Sequence, residues 1–202
     1  MSPSIQIRRV SGKDILAYID DAAKLRISVF REFPYLYDGS ESYEAEYLKS
    51  YASTESSVFV LAMTRGKVVG VSTGMALEAA DEDFRTPFTV SGFALESVFY
   101  FGESVLLPEY RGQGIGRAFF ENREQHAREL GRSFNTFCGV IRPKEHPLRP
   151  IGYRPLDPFW KRMGYQPLEG LTCSFGWKCV NTPDEVQHTL QFWGKSQLPK
   201  TF

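Results

Sequence analysis

Apolar and polar positions change period along the chain, and the changes mark its elements. Ile5–Val10 alternates and predicts a first strand. Asp14 suits a helix start, and Ile15, Ile19, Ala22, Ala23, Arg26, Ile27 and Phe30 then follow helical spacing. Pro34 and Gly39 end that pattern. Ser42–Tyr51 predicts a second helix, with Tyr43, Tyr47 and Tyr51 four residues apart. Val58–Met63 and Lys67–Leu77 predict strands joined by a turn at Arg65-Gly66. Residues 78–92, acidic and then Pro- and Gly-containing, read as a loop. Phe93–Leu107 predicts a strand in which Gly102 is a natural place for a bulge. Gly114–Leu130 predicts the central helix, with Ile115, Ala118, Phe119, His126 and Leu130 on one face and Gly131 ending it. Ser133–Ile141 predicts a strand, 142–156 a loop and Asp157–Met163 a short helix. Leu171–Val180 and Val186–Trp193 predict a final antiparallel pair.

This order predicts a single domain over residues 1–202, of mixed α/β class. A mostly antiparallel sheet is flanked by helices, with one parallel crossover around the helix that starts at Gly114.

The densest chemical signal is Leu106-Leu107-Pro108-Glu109-Tyr110-Arg111-Gly112-Gln113-Gly114-Ile115-Gly116-Arg117. A strand meets a glycine-rich turn and then a helix, which predicts an anion site. Glycine permits positive φ and close approach, and the first helical turn aims free N–H groups outward with the positive end of the helix dipole behind them. Arg111 and Arg117 add full charges. A P-loop is excluded because Arg117 and Ala118 stand where Lys and Ser or Thr are required. The dinucleotide fingerprint fails as well, because Arg117 takes the place of its third glycine.

This string is similar to the acetyl-CoA signature of the GNAT acyl-CoA N-acetyltransferase superfamily, whose core is Arg or Gln, two residues, Gly, one residue, then Gly or Ala. Arg111, Gly114 and Gly116 match it. The resemblance implies the GNAT fold, with acetyl-CoA as co-substrate. It implies that Arg111, Gly112, Gln113, Gly114, Ile115, Gly116 and Arg117 hold the pyrophosphate. It also implies that main-chain groups of Val105, Leu106 and Leu107 pair with the pantetheine arm as an added strand would. Phe159 and Trp160 either flank that arm or pack the core.

Acetyl transfer to an amine needs a base, because alkylamines are mostly protonated at neutral pH, and a donor for the tetrahedral oxyanion. Glu103, on the strand before the loop, is the candidate base, and the alternative is a structural carboxylate paired with an arginine. On a regular strand it shares a side with Phe99, Phe101, Val105 and Leu107, a parity that a bulge at Gly102 would alter. The oxyanion donor is expected to be a backbone N–H near Leu106. The family often places a tyrosine acid in Phe-Tyr-x-x-x-Gly-Phe/Tyr. Here Phe159-Trp160-Lys161-Arg162-Met163-Gly164-Tyr165 puts an indole there, which cannot supply a proton to a thiolate. Tyr153 is the substitute acid candidate. Between the first two helices, Glu32, Tyr35, Tyr37 and Asp38 are candidates to hold a cationic acceptor. Arg142, Lys144, His146, Arg149 and Arg154 form a basic loop that could meet phosphates, an acidic acceptor or only solvent.

Composition narrows the partners. The formal net charge is zero. Residues 1–100 carry 10 Lys/Arg and 14 Asp/Glu, and residues 101–202 carry 14 and 10. No bulk attraction to nucleic acid or membrane is expected, and neither metal-ligand spacing nor a signal peptide is present. Three cysteines, Cys138, Cys173 and Cys179, fit reduced thiols in a cytoplasmic protein and lie outside the expected acyl site. The expectation is a cytoplasmic enzyme, monomer or homodimer, that acetylates a small-molecule primary amine. Its rivals are a protein lysine or N-terminal acetyltransferase and a non-catalytic acyl-CoA-binding module.

Overall fold

Seven strands form one sheet in the order β1-β2-β3-β4-β5-β7-β6. They are β1 (Gln6–Val10), β2 (Val58–Thr64), β3 (Lys67–Ala76), β4 (Val98–Leu106), β5 (Phe134–Val140), β6 (Gln166–Lys178) and β7 (Glu185–Ser196). The structure, a computed structural model, describes residues 4–197. Every neighbouring pair is antiparallel except β4 and β5. That parallel pair is joined by the crossover helix α4 (Ile115–Glu129).

The central strands β2, β3 and β4 are buried nearly along their length because both faces of the sheet are covered there. On β2, Phe59 and Leu61 face the core built with α1 (Ile19–Phe30), α2 (Glu41–Ala52) and α3 (Glu82–Val90). Val58, Val60 and Ala62 face the core built with α4 and α5 (Asp157–Arg162). These two layers divide the molecule into an α1/α2 side and an α4 side.

The elements depart from the sequence reading at several places: β4 begins at Val98 rather than Phe93, and β6 at Gln166 rather than Leu171. Residues 82–90, expected as loop, form α3 despite Pro87. The Asp81 side chain caps the first turn by accepting from the Asp83 N–H, 3.1 Å. Phe84 stacks on Tyr100 at 5.1 Å and Phe88 meets Phe192 at 4.9 Å, so burial of this aromatic pair outweighs the acidic composition. The region after Ser11 begins as a 3-10 helix, Gly12–Tyr18, before α1.

Candidate active site

β4 and β5 pair only through Val98–Tyr100 against Phe134–Thr136. Both strands continue, to Leu106 and Val140, without pairing to each other. The sheet is thus split at its centre, and β4 is left with one unpaired main-chain edge. The Leu107 N–H donates to Val69 O at 3.0 Å on β3. Main-chain groups alternate along an antiparallel strand, so Val105 and Leu107 face β3 whereas Ser104 and Leu106 face the split. This corrects the expected pantetheine contacts: the main chain of Leu106 is available, with Ser104 beside it, and that of Val105 and Leu107 is not. The Leu106 carbonyl also accepts from Arg111 Nε at 3.2 Å.

A bulge sits on β4 where the split runs. Ser72 pairs with Ser104 but Gly74 with Phe101, so Thr73 faces both Gly102 and Glu103. A Cβ on Gly102 would lie 2.5 Å from Tyr51 Oη and 2.6 Å from Thr73 Oγ1, which leaves glycine as the fitting residue. The extra residue reverses the side-chain parity. Phe99 and Phe101 pack on the α4 side, and Val105 on the α1/α2 side with Glu103. The regular-strand grouping of Glu103 with Phe99 and Phe101 does not hold.

The bulge is held from both faces. Thr73 Oγ1 accepts the Glu103 N–H at 3.2 Å. From the α4 side, buried Arg123 donates to Thr73 O at 3.2 Å, Glu103 O at 3.1 Å and Ser104 Oγ at 2.8 Å, and lies 4.2 Å from the Phe101 ring centre. Burial pushes the Arg123 guanidinium down to about 10, opposed by Tyr165 and Glu103, so it remains charged at neutral pH. Sequence reasoning did not single out Arg123. Its signal was a charge at the i+4 position after Ile115 and Phe119.

Glu103 enters a buried ionic cluster on the α1/α2 side. Its Oε1 lies 2.7 Å from Arg26 Nη1. Arg26 also donates through Nε to Glu44 Oε2, and Tyr37 Oη donates to Glu44 Oε1 at 2.6 Å. The guanidinium lies 4.6 Å from the Tyr47 ring centre, and Tyr47 and Tyr51 share a 3.2 Å hydroxyl contact. Burial works against the Arg26 charge, but Glu103, Tyr47 and Glu44 outweigh it and hold its pKa well above the ordinary value. Arg26 and Glu44 are the other residues sequence reasoning missed. Arg26 had marked itself by standing on the apolar face of α1.

The pyrophosphate-type loop has the expected backbone. Gly112 and Gly114 adopt φ of 77° and 82°, and Gly114 is the left-handed N-cap of α4. Arg117 pairs with Glu121 at 2.7 Å, and Arg111 reaches Glu32 at 3.0 Å. Phe159 stands 3.5 Å from where a Gly116 Cβ would be, beside the loop. Trp160 is turned into the sheet, against Phe137 at 5.0 Å and Trp193 at 5.1 Å, where its role is packing.

The acceptor candidates are redistributed. Glu32 is half-exposed and joined to Arg111, and Asp38 is joined to Arg31 at 2.8 Å and Lys178 at 3.2 Å. Neither is a free carboxylate for a cation, and the two buried acids nearby, Glu44 and Glu103, are both paired with Arg26. Tyr37 is committed to Glu44. Tyr35 packs on Phe30 at 4.7 Å, and its carbonyl accepts from Arg142 at 2.9 Å and from Trp177 Nε1 at 3.0 Å. Arg142 donates to Pro34 O at 2.7 Å as well, so it anchors the 33–37 segment rather than meeting a phosphate. Tyr153 lies edge-on to Phe33 at 4.7 Å, with Arg149 5.0 Å from its ring centre. Burial pushes its phenol up, the wrong direction for an easy proton donor.

Cys138 is nearer the split than expected, with Sγ 3.4 Å from Tyr100 Oη. Cys173 also neighbours it, and the Cys138 contact and burial push the Cys173 thiol up; burial raises Tyr100 as well.

Among the described residues no His, Cys, Asp and Glu group has a metal-binding arrangement, and no helix is long and apolar enough to cross a membrane.

A profile described as Acetyltransferase (GNAT) family matches residues 23–146. No relative among curated proteins matches the chain by sequence. Similar solved structures include Arabidopsis thaliana NAA60 in complex with acetyl-CoA, with a TM-score of 0.62 and 12% identity over 96% of this chain and 99% of that one. An aminoglycoside 6'-N-acetyltransferase complexed with coenzyme A gives a TM-score of 0.60 and 13% identity over 96% and 98%. The Drosophila melanogaster polyamine N-acetyltransferase gives 0.58 and 14% over 96% and 100%. At these identities the structures speak to fold alone; with the profile covering more than half of the residues, the chain belongs to the GNAT acetyltransferase family.

Proposed function

We propose that the protein transfers an acetyl group directly from acetyl-CoA to a primary amine of a small molecule. The observation that carries this reading is the split between β4 and β5, bounded by a left-handed glycine loop at one end and by the Glu103 bulge along its edge. The split offers unpaired main chain to a pantetheine arm, and the loop offers amides to a pyrophosphate. The bulge turns a carboxylate toward the acceptor side.

Glu103 takes a proton from the acceptor ammonium, directly or through a water. The neutral nitrogen attacks the thioester carbon and the C–N bond forms. The oxyanion meets the Leu106 N–H, the C–S bond breaks, and the amide nitrogen loses its second proton to solvent or to the departing sulfur. A thiol of pKa roughly 8.5, as for cysteine, leaves acceptably as the thiolate, so Trp160 at the family's tyrosine place is compatible with turnover.

The loop 142–156 supports a small acceptor. Arg142, His146, Arg149 and Tyr153 engage the 33–37 segment, with Phe33 5.6 Å from His146 and 4.7 Å from Tyr153, and so cover the side a peptide would enter. The test is free-thiol release from acetyl-CoA against a panel of amines and peptides, with Glu103→Gln alongside. Small amines are expected to be turned over, and Glu103→Gln to lower turnover by ~100-fold or more while acetyl-CoA affinity stays within a few-fold. Turnover of peptides alone overturns the acceptor assignment, unchanged turnover in Glu103→Gln removes the base, and absence of calorimetric saturation by any coenzyme A species refutes the reading entirely.

A further inference from the structure

The buried cluster around Glu103 contains more charge than a single ion pair needs. Arg26 is shared between two carboxylates, Glu103 and Glu44, so one guanidinium faces two negative charges. Glu44 is fully buried and both of its oxygens are used, one by Arg26 and one by Tyr37. It has no access to a ligand. Glu103, by contrast, meets Arg26 through Oε1 at 2.7 Å as an ion pair, and that buried oxygen has no hydrogen-bond partner. Burying a carboxylate that never meets substrate is costly even with Arg26 and Tyr37 as partners. Glu44 therefore has a function that its packing does not explain.

A lone Arg26–Glu103 pair would hold the carboxylate in place but would also oppose its protonation, because a full positive charge within contact distance favours the ionised form. A base that must accept a proton from an ammonium is poorly served by that arrangement. A second carboxylate on the same guanidinium divides its field between two acids without releasing the side chain.

We propose that Glu44 and Arg26 are positioning residues that divide charge for Glu103: Arg26 fixes the orientation of the base, and Glu44 offsets enough of the guanidinium charge for that base to take a proton. The inference rests on Glu103 being the base. The other groups facing Glu103 do not titrate in its place. Tyr47 and Tyr51 on α2 are pushed up by burial and stay neutral, Thr73 on β3 contributes a hydroxyl, and Arg123 on α4 touches the Glu103 carbonyl from the opposite face of the sheet and stays charged.

The experiment is the pH profile of kcat/KM for acetyl transfer by the full chain, compared among wild type, Glu44→Gln, Arg26→Gln and Glu103→Gln. Glu44→Gln keeps the shape and an acceptor for Tyr37, and leaves Arg26 wholly to Glu103. Its ascending limb is expected to move to lower pH by about one unit, with a lower plateau, as for removal of one neighbouring charge. Arg26→Gln is expected to move the limb the other way. If that variant does not fold, with two carboxylates left facing each other, the double variant Glu44→Gln/Arg26→Gln replaces it, and its limb is expected above that of Glu44→Gln. A merely structural pair would lower activity without moving the limb in opposite directions. Coincident limbs, or a Glu44→Gln limb at higher pH than wild type, overturn the proposal. If Glu103→Gln keeps the wild-type limb, the base assignment itself is lost and the charge division falls with it, an outcome distinct from coincident limbs in the other variants.

Discussion

Arg123 shows how one side chain can decide the local geometry of a site it never enters. Its guanidinium satisfies two carbonyls and a hydroxyl at the β4 bulge, in a place only 1% exposed. A buried acceptor left without a partner costs about 1–3 kcal/mol. Arg123→Met is therefore expected to lower the unfolding free energy by ~2 kcal/mol or more in a denaturant titration, even after the relief of removing a buried charge. A loss below ~1 kcal/mol would mean that Thr73 and the β3 ladder hold the bulge alone. Glu103 itself was legible in the sequence, because a carboxylate in an aromatic strand just before a glycine-rich loop stands out. Its partners were not. Arg26 and Glu44 lie on different helices, and nothing in local spacing announces that two helices will bring them to one strand.

At the scale of elements, the strand–loop–helix from β4 to α4 behaves as its residues dictate. Gly114 has φ of 82° with no atom within 4 Å of an added Cβ, so the demand for glycine there is conformational rather than steric. A β-branched residue cannot hold that cap without strain, and its side chain would stand beside the open amides of the first turn of α4. Gly114→Val is expected to abolish measurable acetyl-CoA binding by calorimetry while far-UV circular dichroism stays native. Retained affinity would show that the amides at this turn do not hold the ligand. The loop was readable because glycine spacing is a local property. The helix α3 was missed for the opposite reason: its acidic first turn and Pro87 argue for a loop locally, and only Tyr100 and Phe192, contributed by β4 and β7, make it a helix worth forming.

For the molecule as a whole, the last hairpin secures the 33–37 segment, and it does so through a neutral histidine. Arg142 Nη1 is 3.1 Å from His188 Nδ1, and arginine has no acceptor, so Nδ1 carries the lone pair and Nε2–H points to Cys179 Sγ at 3.4 Å. Burial and then Arg142 hold the His188 pKa below its ordinary 6.5, and burial does the same for His126. The unfolded chain takes up these protons near 6.5 while the fold resists them, so stability is fully present above that value and declines as pH falls through it. The Tm is expected to drop between about pH 7.5 and about pH 5.5, before carboxylates contribute, and to drop less in His188→Gln. A flat Tm across that window would show that neither imidazole is linked to folding. Periodicity and local motif were enough for the sequence to determine the order of the strands, the glycine-rich loop and the family resemblance, because each depends on neighbours along the chain. The tertiary structure alone decided the split between β4 and β5, the parity reversal at Gly102 and the sharing of Arg26 between two acids. Strand register, and the approach of α1 and α2 to β4, bring together residues that are far apart in the chain.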